Sequence, residues 1–425
     1  MRTVSKTVIG VDFGTQSARA VLVNAENGEI IYSCRKEYPY NSTPVPAIDC
    51  AENLPCATDY EMTLYELLRN VIPEEYRKTV AGICVDATSL TMVLLAEDGR
   101  ALSELDGWSE AAHARVKLWK YHRAQEKADE ALNLARNLQE PFLGRTGGSI
   151  SCEWMLPKLL EVRDEAPEIY SKIDLAMDLC EFLTFRLTGQ LVRSIGSLSY
   201  KCLWAEDLSF PERTFLNGLR AGFYEEYCHF LRGDVRKPGE CAGMLRSELT
   251  KRWGLPEQIP VATGMLDGHT SLATMGAFEP GDAALIVGTS NVCTVQDRKL
   301  QELKDVCGVA QDGMVTGSCG IDTGQSSTGN MLGWFVEHMA GWQIHREAEE
   351  RKISPHQVLA ERIQKPWENK VIAVDWWSGS RNAPCDLTLR GSMSGLEMDT
   401  KTEDIYLALL QAIACGTGTI LERLS

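Results

Sequence analysis

Three short stretches hold the residue types from which phosphoryl transfer is assembled. "IGVDFGTQSARAVLV" (9–23) ends an apolar run on a carboxylate, Asp12, then turns through Gly14-Thr15-Gln16-Ser17 into a second apolar run. "AALIVGTSNVCTVQD" (283–297) repeats the theme with Gly288-Thr289-Ser290 at the corner. "VATGMLDGHTSLATMGAF" (261–278) sets Asp267 beside Gly268, just ahead of a helical pattern. Consecutive backbone N–H groups in a Gly-Thr-Ser corner form a concavity for an anion, and the hydroxyls add donors. A carboxylate there repels phosphate directly, so Asp12 suits a hydrated Mg²⁺, an ion that keeps most of its waters. One further carboxylate, Asp267, is enough to accept the proton of an attacking hydroxyl. No Gly-x-x-x-x-Gly-Lys-Ser/Thr loop occurs. Plainer readings stand beside these: Asp12 as a turn or N-cap carboxylate, Asp267 as a helix cap, and His269 as a packing residue.

The elements that must position these groups follow from the hydrophobic pattern. The opening stretch reads as two strands joined by a polar turn, and Asn27-Gly28 marks a second hairpin turn into "EIIYSCRKEY". A helix is expected around Tyr60–Asn70. "VAGICVDATSLTMVLLAEDGRAL" then repeats strand, carboxylate (Asp86), Thr88-Ser89 corner, strand and Asp98-Gly99 turn. From about Ala111 to Glu181 the pattern is helical, with breaks expected at Pro157 and Pro167. Gly189 is a helix stop. Proline and glycine interrupt the periodicity at 252–264, which predicts a division into residues 1–255 and 256–425. The echo of strand, Gly-Thr corner and strand in each half implies a duplicated architecture clasping a ligand between two similar tips.

Whole-chain properties narrow the partners. At 425 residues two domains are the natural expectation. With 43 basic against 59 acidic residues the net charge is −16, which argues against nucleic acid or an anionic membrane as partner. A phosphate ligand must therefore be held by local amides or a metal. The start of the chain has no leader-like apolar stretch, and no run of eighteen apolar residues suggests a membrane span. Fourteen cysteines lie without a Cys-x-x-Cys pair, as reduced thiols in a cytoplasm would, and not as a zinc site. Asn41-Ser42-Thr43 matches a glycosylation acceptor and is read as a turn.

In order along nearly the whole chain, several motifs resemble the FGGY carbohydrate kinases, and within them the ribulokinases. They are "GVDFGTQSARA", "VDATSLTMVLL" (85–95), "HARVKLWKYHRAQ" (113–125), "SCEWMLPKLLEV" (151–162), "SYKCLW" (199–204), "GMLDGHT", "LIVGTS", "GQSSTGN" (324–330) and "DWWSGSRNAPCDLTLRG" (375–391). The resemblance implies an α/β, actin-like ATPase (ribonuclease H-like) duplicated fold, two domains around a cleft, each with a mixed five-stranded sheet. It implies ATP and Mg²⁺ as cofactors, and Asp12 at the Mg²⁺–phosphate position, through water. Thr15, Gln16 and Ser17 match the first phosphate loop; Gly288, Thr289 and Ser290 match the second. Asp267 matches the general base, Lys201 a sugar contact, and Ser89 the lining of the same pocket. The implied reaction converts ATP and L-ribulose to ADP and L-ribulose 5-phosphate in the cytoplasm, with a small-molecule sugar as partner and a homodimer as an open option.

Departures from the family pattern bear on substrate. Asp322-Thr323 stands where ribulokinases carry Glu-Ala, so the carboxylate at Asp322 reaches less far toward a sugar hydroxyl. The corner Thr88-Ser89-Leu90-Thr91 has Leu90 where cysteine is common. Family members also run on past the equivalent of Ser425 through a glycine-rich segment packed on adenine. Two further readings follow: a kinase for another pentulose or a polyol, and a truncated, catalytically impaired sugar-binding remnant.

Overall fold

A computed structural model describes residues 5–38, 54–364, 368–382, 385–386 and 388–424. Asn41 and its acceptor motif lie outside the described residues.

The opening residues form the expected hairpin. Thr7–Phe13 pairs antiparallel with Ser17–Asn24, Phe13 facing Ala18, and Ser17–Asn24 pairs with Ile30–Glu37. Period-2 alternation buries Ile9, Val11 and Phe13 on one face. Val80–Ala87 then joins the free side of Thr7–Phe13 in parallel. Such a connection needs a crossover, and Ala57–Val71 supplies the helix, burying Leu64, Leu67 and Leu68 against the sheet core. Pro260–Ala262 and Met265–Leu266 also pair with Val80–Ala87 in parallel, and Cys241–Met244 closes that edge antiparallel. The first sheet thus has seven strands and reaches past residue 255, the expected division.

Expectation and structure part company in three places here. Met92–Leu95 does not form a hairpin with Val80–Ala87; it pairs antiparallel with Leu175–Asp178. The Asp178 carboxylate accepts from the N–H groups of Leu90 (3.2 Å) and Thr91 (3.3 Å), and Leu90 takes a positive φ of 63°, so the corner swings the chain away. Only Gln125–Leu138 of the charged stretch after Ala111 is helical. Pro157 lies within the first turn of the helix Met155–Glu165, where its missing N–H costs nothing, while Pro167 opens a short helix. Gly189 caps Leu179–Thr188 in the left-handed region, as expected.

The second half builds on the second hairpin. Ala283–Val287 pairs antiparallel with Asn291–Asp297, Val287 facing Asn291, and the sheet continues through Cys319–Gln325 to Gly308–Gln311. This sheet has four strands, one fewer than expected. Its outer edge is taken by chain from the first half: Val309 N–H donates to the Arg145 carbonyl at 2.8 Å, and Asp305 N–H to Gly147 at 2.9 Å. Ile372–Val374 pairs instead with Ser392–Ser394 in a separate ribbon beside the helix Thr402–Leu424. By length and composition that helix could cross a membrane; here it buries Tyr406, Leu407, Ala408 and Leu409 in the protein.

Candidate active site

Parallel pairing brings the carboxylates together. Asp12 and Asp86 are register partners on adjacent strands, and Met265 pairs with Asp86, so Asp267 emerges one step beyond the same sheet end. Asp267 begins the helix Asp267–Met275, and its Oδ1 accepts from the Gly268 N–H at 2.7 Å. Burial raises its carboxyl to about 6; the neighbouring Asp12 adds to the rise, while the Gly268 bond and Lys201 oppose it. That leaves an ionised carboxylate at neutral pH with more proton affinity than an ordinary aspartate. Asp86 is held well above the usual carboxylate range by burial first and then by the neighbouring Asp12. One oxygen, Asp86 Oδ1, is buried without a hydrogen-bond partner.

Sequence reasoning left Asp86 out of the candidate set. Its signal was visible: "VDATS" repeats the strand-then-carboxylate pattern of "VDFGT", and only strand pairing shows that the two aspartates stand side by side.

The first corner is held by its surroundings. Gly14 N–H donates to the Ser17 carbonyl (3.1 Å), and Tyr38 Oη donates to the Gly14 carbonyl (2.9 Å). Thr15 Oγ1 accepts from Trp119 Nε1 at 3.1 Å, and buried Ser17 accepts from Arg35 Nε at 3.0 Å. Gln16 is exposed. The second corner mirrors it: Gly288 N–H donates to Ser290, and the segment 328–330 docks on it through Gly329 N–H to Gly288 (3.0 Å) and Asn330 N–H to Thr289 (3.2 Å). Gly288 and Thr289 are exposed.

A buried polar cluster is set by pairs that join the two halves. Lys201 Nζ lies 3.0 Å from Asp322 Oδ2, and His269 Nε2 lies 3.6 Å from the same oxygen. Burial alone would raise Asp322; Lys201 and then His269 outweigh it and hold the carboxyl well below its ordinary range. Lys201 rises in turn, because Asp322 outweighs the cost of burial. His269 is buried edge-on to Tyr200, with Nδ1 unpartnered, so it supports the pair as the packing reading allowed. Tyr200 Oη donates to the Gly320 carbonyl (2.7 Å), and Arg381 Nη2 meets buried Glu153 at 2.5 Å, with His122 on the same oxygen. Ser89 sits half-buried in the corner after Val80–Ala87. Among the described residues, no three His, Cys, Asp or Glu side chains are grouped to hold a metal by themselves.

Asp12, Asp86, Asp267 and the buried Lys201–Asp322 pair thus lie within electrostatic reach of one another. The family profiles decide the assignment: the N-terminal domain of the FGGY family of carbohydrate kinases matches residues 7–274, and its C-terminal domain matches 283–425. The chain belongs to the FGGY family of carbohydrate kinases. It is 33% identical over 428 residues to a ribulokinase of Halalkalibacterium halodurans, covering 98% of this chain and 76% of that protein. To a ribulokinase of Mycolicibacterium smegmatis it is 36% identical over 433 residues, with the same coverage of each. Solved FGGY-type folds superpose well. A xylulose kinase from Lactobacillus acidophilus gives a TM-score of 0.75 at 19% identity, covering 96% of this chain and 76% of that one. Plasmodium falciparum glycerol kinase with ADP gives 0.76 at 16% identity, covering 99% and 78%. The FGGY kinase fold, two domains of the actin-like ATPase type, is therefore established for this chain.

Proposed function

We propose that this kinase transfers the γ-phosphoryl group of ATP to a hydroxyl of a ketopentose, with L-ribulose the first substrate to try. The supporting observation is that Asp267 emerges at the sheet end beside the Asp12–Asp86 register pair and within electrostatic reach of Lys201 and Asp322. In that reading Asp267 takes the proton of the attacking hydroxyl while the hydroxyl oxygen bonds to the γ-phosphorus. The bond from that phosphorus to the bridging oxygen of ADP breaks, and ADP leaves with the electron pair. Lys201, Asp322 and Ser89 orient the sugar, so the reaction starts from a near-attack geometry. The corners 14–17 and 288–290 offer N–H and hydroxyl donors to the phosphates. Asp12, with the unpartnered Oδ1 of Asp86 beside it, is the place for a hydrated Mg²⁺, which would neutralise charge on the phosphates. The domain division is best placed between Met275 and Ala283, where the first sheet and its last helix are complete.

ADP release by the 425-residue chain with MgATP and L-ribulose, beside Asp267→Asn, tests this reading. Sugar-dependent release that the variant loses supports it; release with none of the L- and D-pentuloses overturns it. A second reading, another pentulose or a polyol, is favoured by the short Asp322, whose carboxylate is already engaged by Lys201 and His269. Relative turnover of ribulose, xylulose and ribitol separates the two. Calorimetry showing sugar binding without MgATP binding would favour the non-catalytic remnant.

A further inference from the structure

The helix Met155–Glu165 carries a fully buried lysine amine, Lys158, to which the proposed reaction assigns no role. Lys158 Nζ donates to three backbone carbonyls: Leu90 at 2.6 Å, Leu118 at 2.9 Å and Lys117 at 3.3 Å. Its relative exposure is 0%. A charged amine out of water is tolerated only when its donors are fully engaged, so three carbonyls aimed at one nitrogen form a built fitting.

What those carbonyls belong to gives the fitting its meaning. Leu90 follows Ser89 in the corner after Val80–Ala87, which the proposed reaction assigns to orienting the sugar. Lys117 and Leu118 precede Trp119, whose Nε1 donates to Thr15 of the first phosphate corner. The two segments already touch, since Met92 N–H donates to the Lys117 carbonyl (2.9 Å) and Lys117 N–H to Met92 (3.1 Å). One turn along the same helix, Glu161 grips the second segment again, pairing with Lys117 Nζ at 3.2 Å and accepting from Tyr121 Oη at 3.0 Å. A helix is a rigid rod, so Lys158 and Glu161 fix both segments to one frame.

We infer that Lys158 is a positioning residue that sets the sugar corner, residues 88–91, against the phosphate corner, residues 14–17, through Trp119. Phosphoryl transfer needs its hydroxyl and its phosphorus in line, and small misplacements are costly. Lys158 touches neither reactant. The inference rests on the kinase reading for its kinetic consequence and not for its structural one.

The test compares the full chain with Lys158→Met and Trp119→Phe by amide hydrogen exchange and by kinetics. In Lys158→Met, exchange at 88–91 and 117–121 should accelerate about tenfold or more, with 14–17 following, while 283–297 stays as in the parent. KM for sugar and for MgATP should both rise, whereas Trp119→Phe should raise KM for MgATP alone. Combined, the two changes should cost less on the MgATP side than the product of their separate effects, because both break one route. Acceleration confined to 155–165, acceleration spread evenly over the first domain, or unchanged KM with a smaller active fraction each overturn the inference. Should Lys158→Met fail to fold, Trp119→Phe carries the test, and unchanged exchange at 14–17 in that variant overturns it. Exchange needs no turnover, so an inactive parent chain defeats the kinase reading and leaves this result readable.

Discussion

Lys201 and Asp322 stand 3.0 Å apart, both buried, although 121 residues separate them in the chain. One belongs to the first half and the other to the second, so this ion pair links the two domains, as Lys237–Asp312 and Arg381–Glu153 also do, and it lies in the proposed sugar region. Removing one partner strands the other charge out of water. Asp322→Asn should lower stability by about 2–4 kcal/mol in urea unfolding and raise the sugar KM more than the MgATP KM. The sign with pH follows from the depressed carboxyl. Its stabilisation is present above the ordinary aspartate range and is lost as pH falls below it, so the parent should weaken in acid more steeply than Asp322→Asn.

Asp267 should control the acid side of the rate profile. Its carboxyl is raised to about 6, and only the ionised form accepts a proton, so kcat/KM should fall as pH drops through that value. Asp267→Asn should reduce kcat by about 10²–10⁴-fold with binding of sugar largely kept, and the acid limb should vanish. Steady-state rates from pH 5 to 9 check both.

Asp86 makes the opposite prediction for stability. A carboxyl raised in the fold binds its proton more tightly there than in the unfolded chain. Its contribution is therefore complete below the ordinary range and is lost as pH rises toward about 8. Asp86→Asn, which keeps the size of the side chain beside Asp12 without the second charge, should be more stable than the parent at pH 8–9. The gain should be on the order of 1 kcal/mol, and thermal melts at pH 5 and 9 would show it as a crossover.

The two corners should act on nucleotide and not on sugar. Thr15→Val and Thr289→Val each delete one hydroxyl donor, worth about 1 kcal/mol, or roughly fivefold in affinity for MgATP. Titration calorimetry with each ligand separately should show sugar affinity unchanged. A loss of sugar affinity with nucleotide affinity intact would contradict the assignment of these corners.

Gly329 allows the close approach of 328–330 to the second corner. A Cβ there would lie 2.5 Å from the Gly288 carbonyl oxygen. Gly329→Ala should push the corner away, cost about 1–3 kcal/mol of stability and weaken MgATP about tenfold. Melting temperature and nucleotide binding report the two effects independently.

Much of the local design was legible because it is local. Alternation at period 2 with a Gly-Thr corner predicted both hairpins, and a carboxylate at the end of an apolar run marked Asp12. The stop at Gly189 follows from capping chemistry carried within a few residues, whereas Asp267 opens its helix as the first helical residue behind Leu266 and not as a side-chain cap. The charged stretch after Ala111 misled, because residues 113–121 keep a helical rhythm while their carbonyls and Lys117 serve Lys158 and Glu161. Their partners lie some forty positions away, and no periodicity encodes that.

The sequence by itself determined the chemistry available: two amide corners, a carboxylate ahead of a helix, and the order of motifs that places the chain in its family. Tertiary structure alone decided which charges share a site. Strand pairing set Asp86 beside Asp12 and raised its carboxyl, and docking of the halves set Lys201 against Asp322. The reason is physical: propensity and patterning act over a few residues, whereas the cost of a buried charge is relieved only by whichever distant partner folding brings within hydrogen-bond reach.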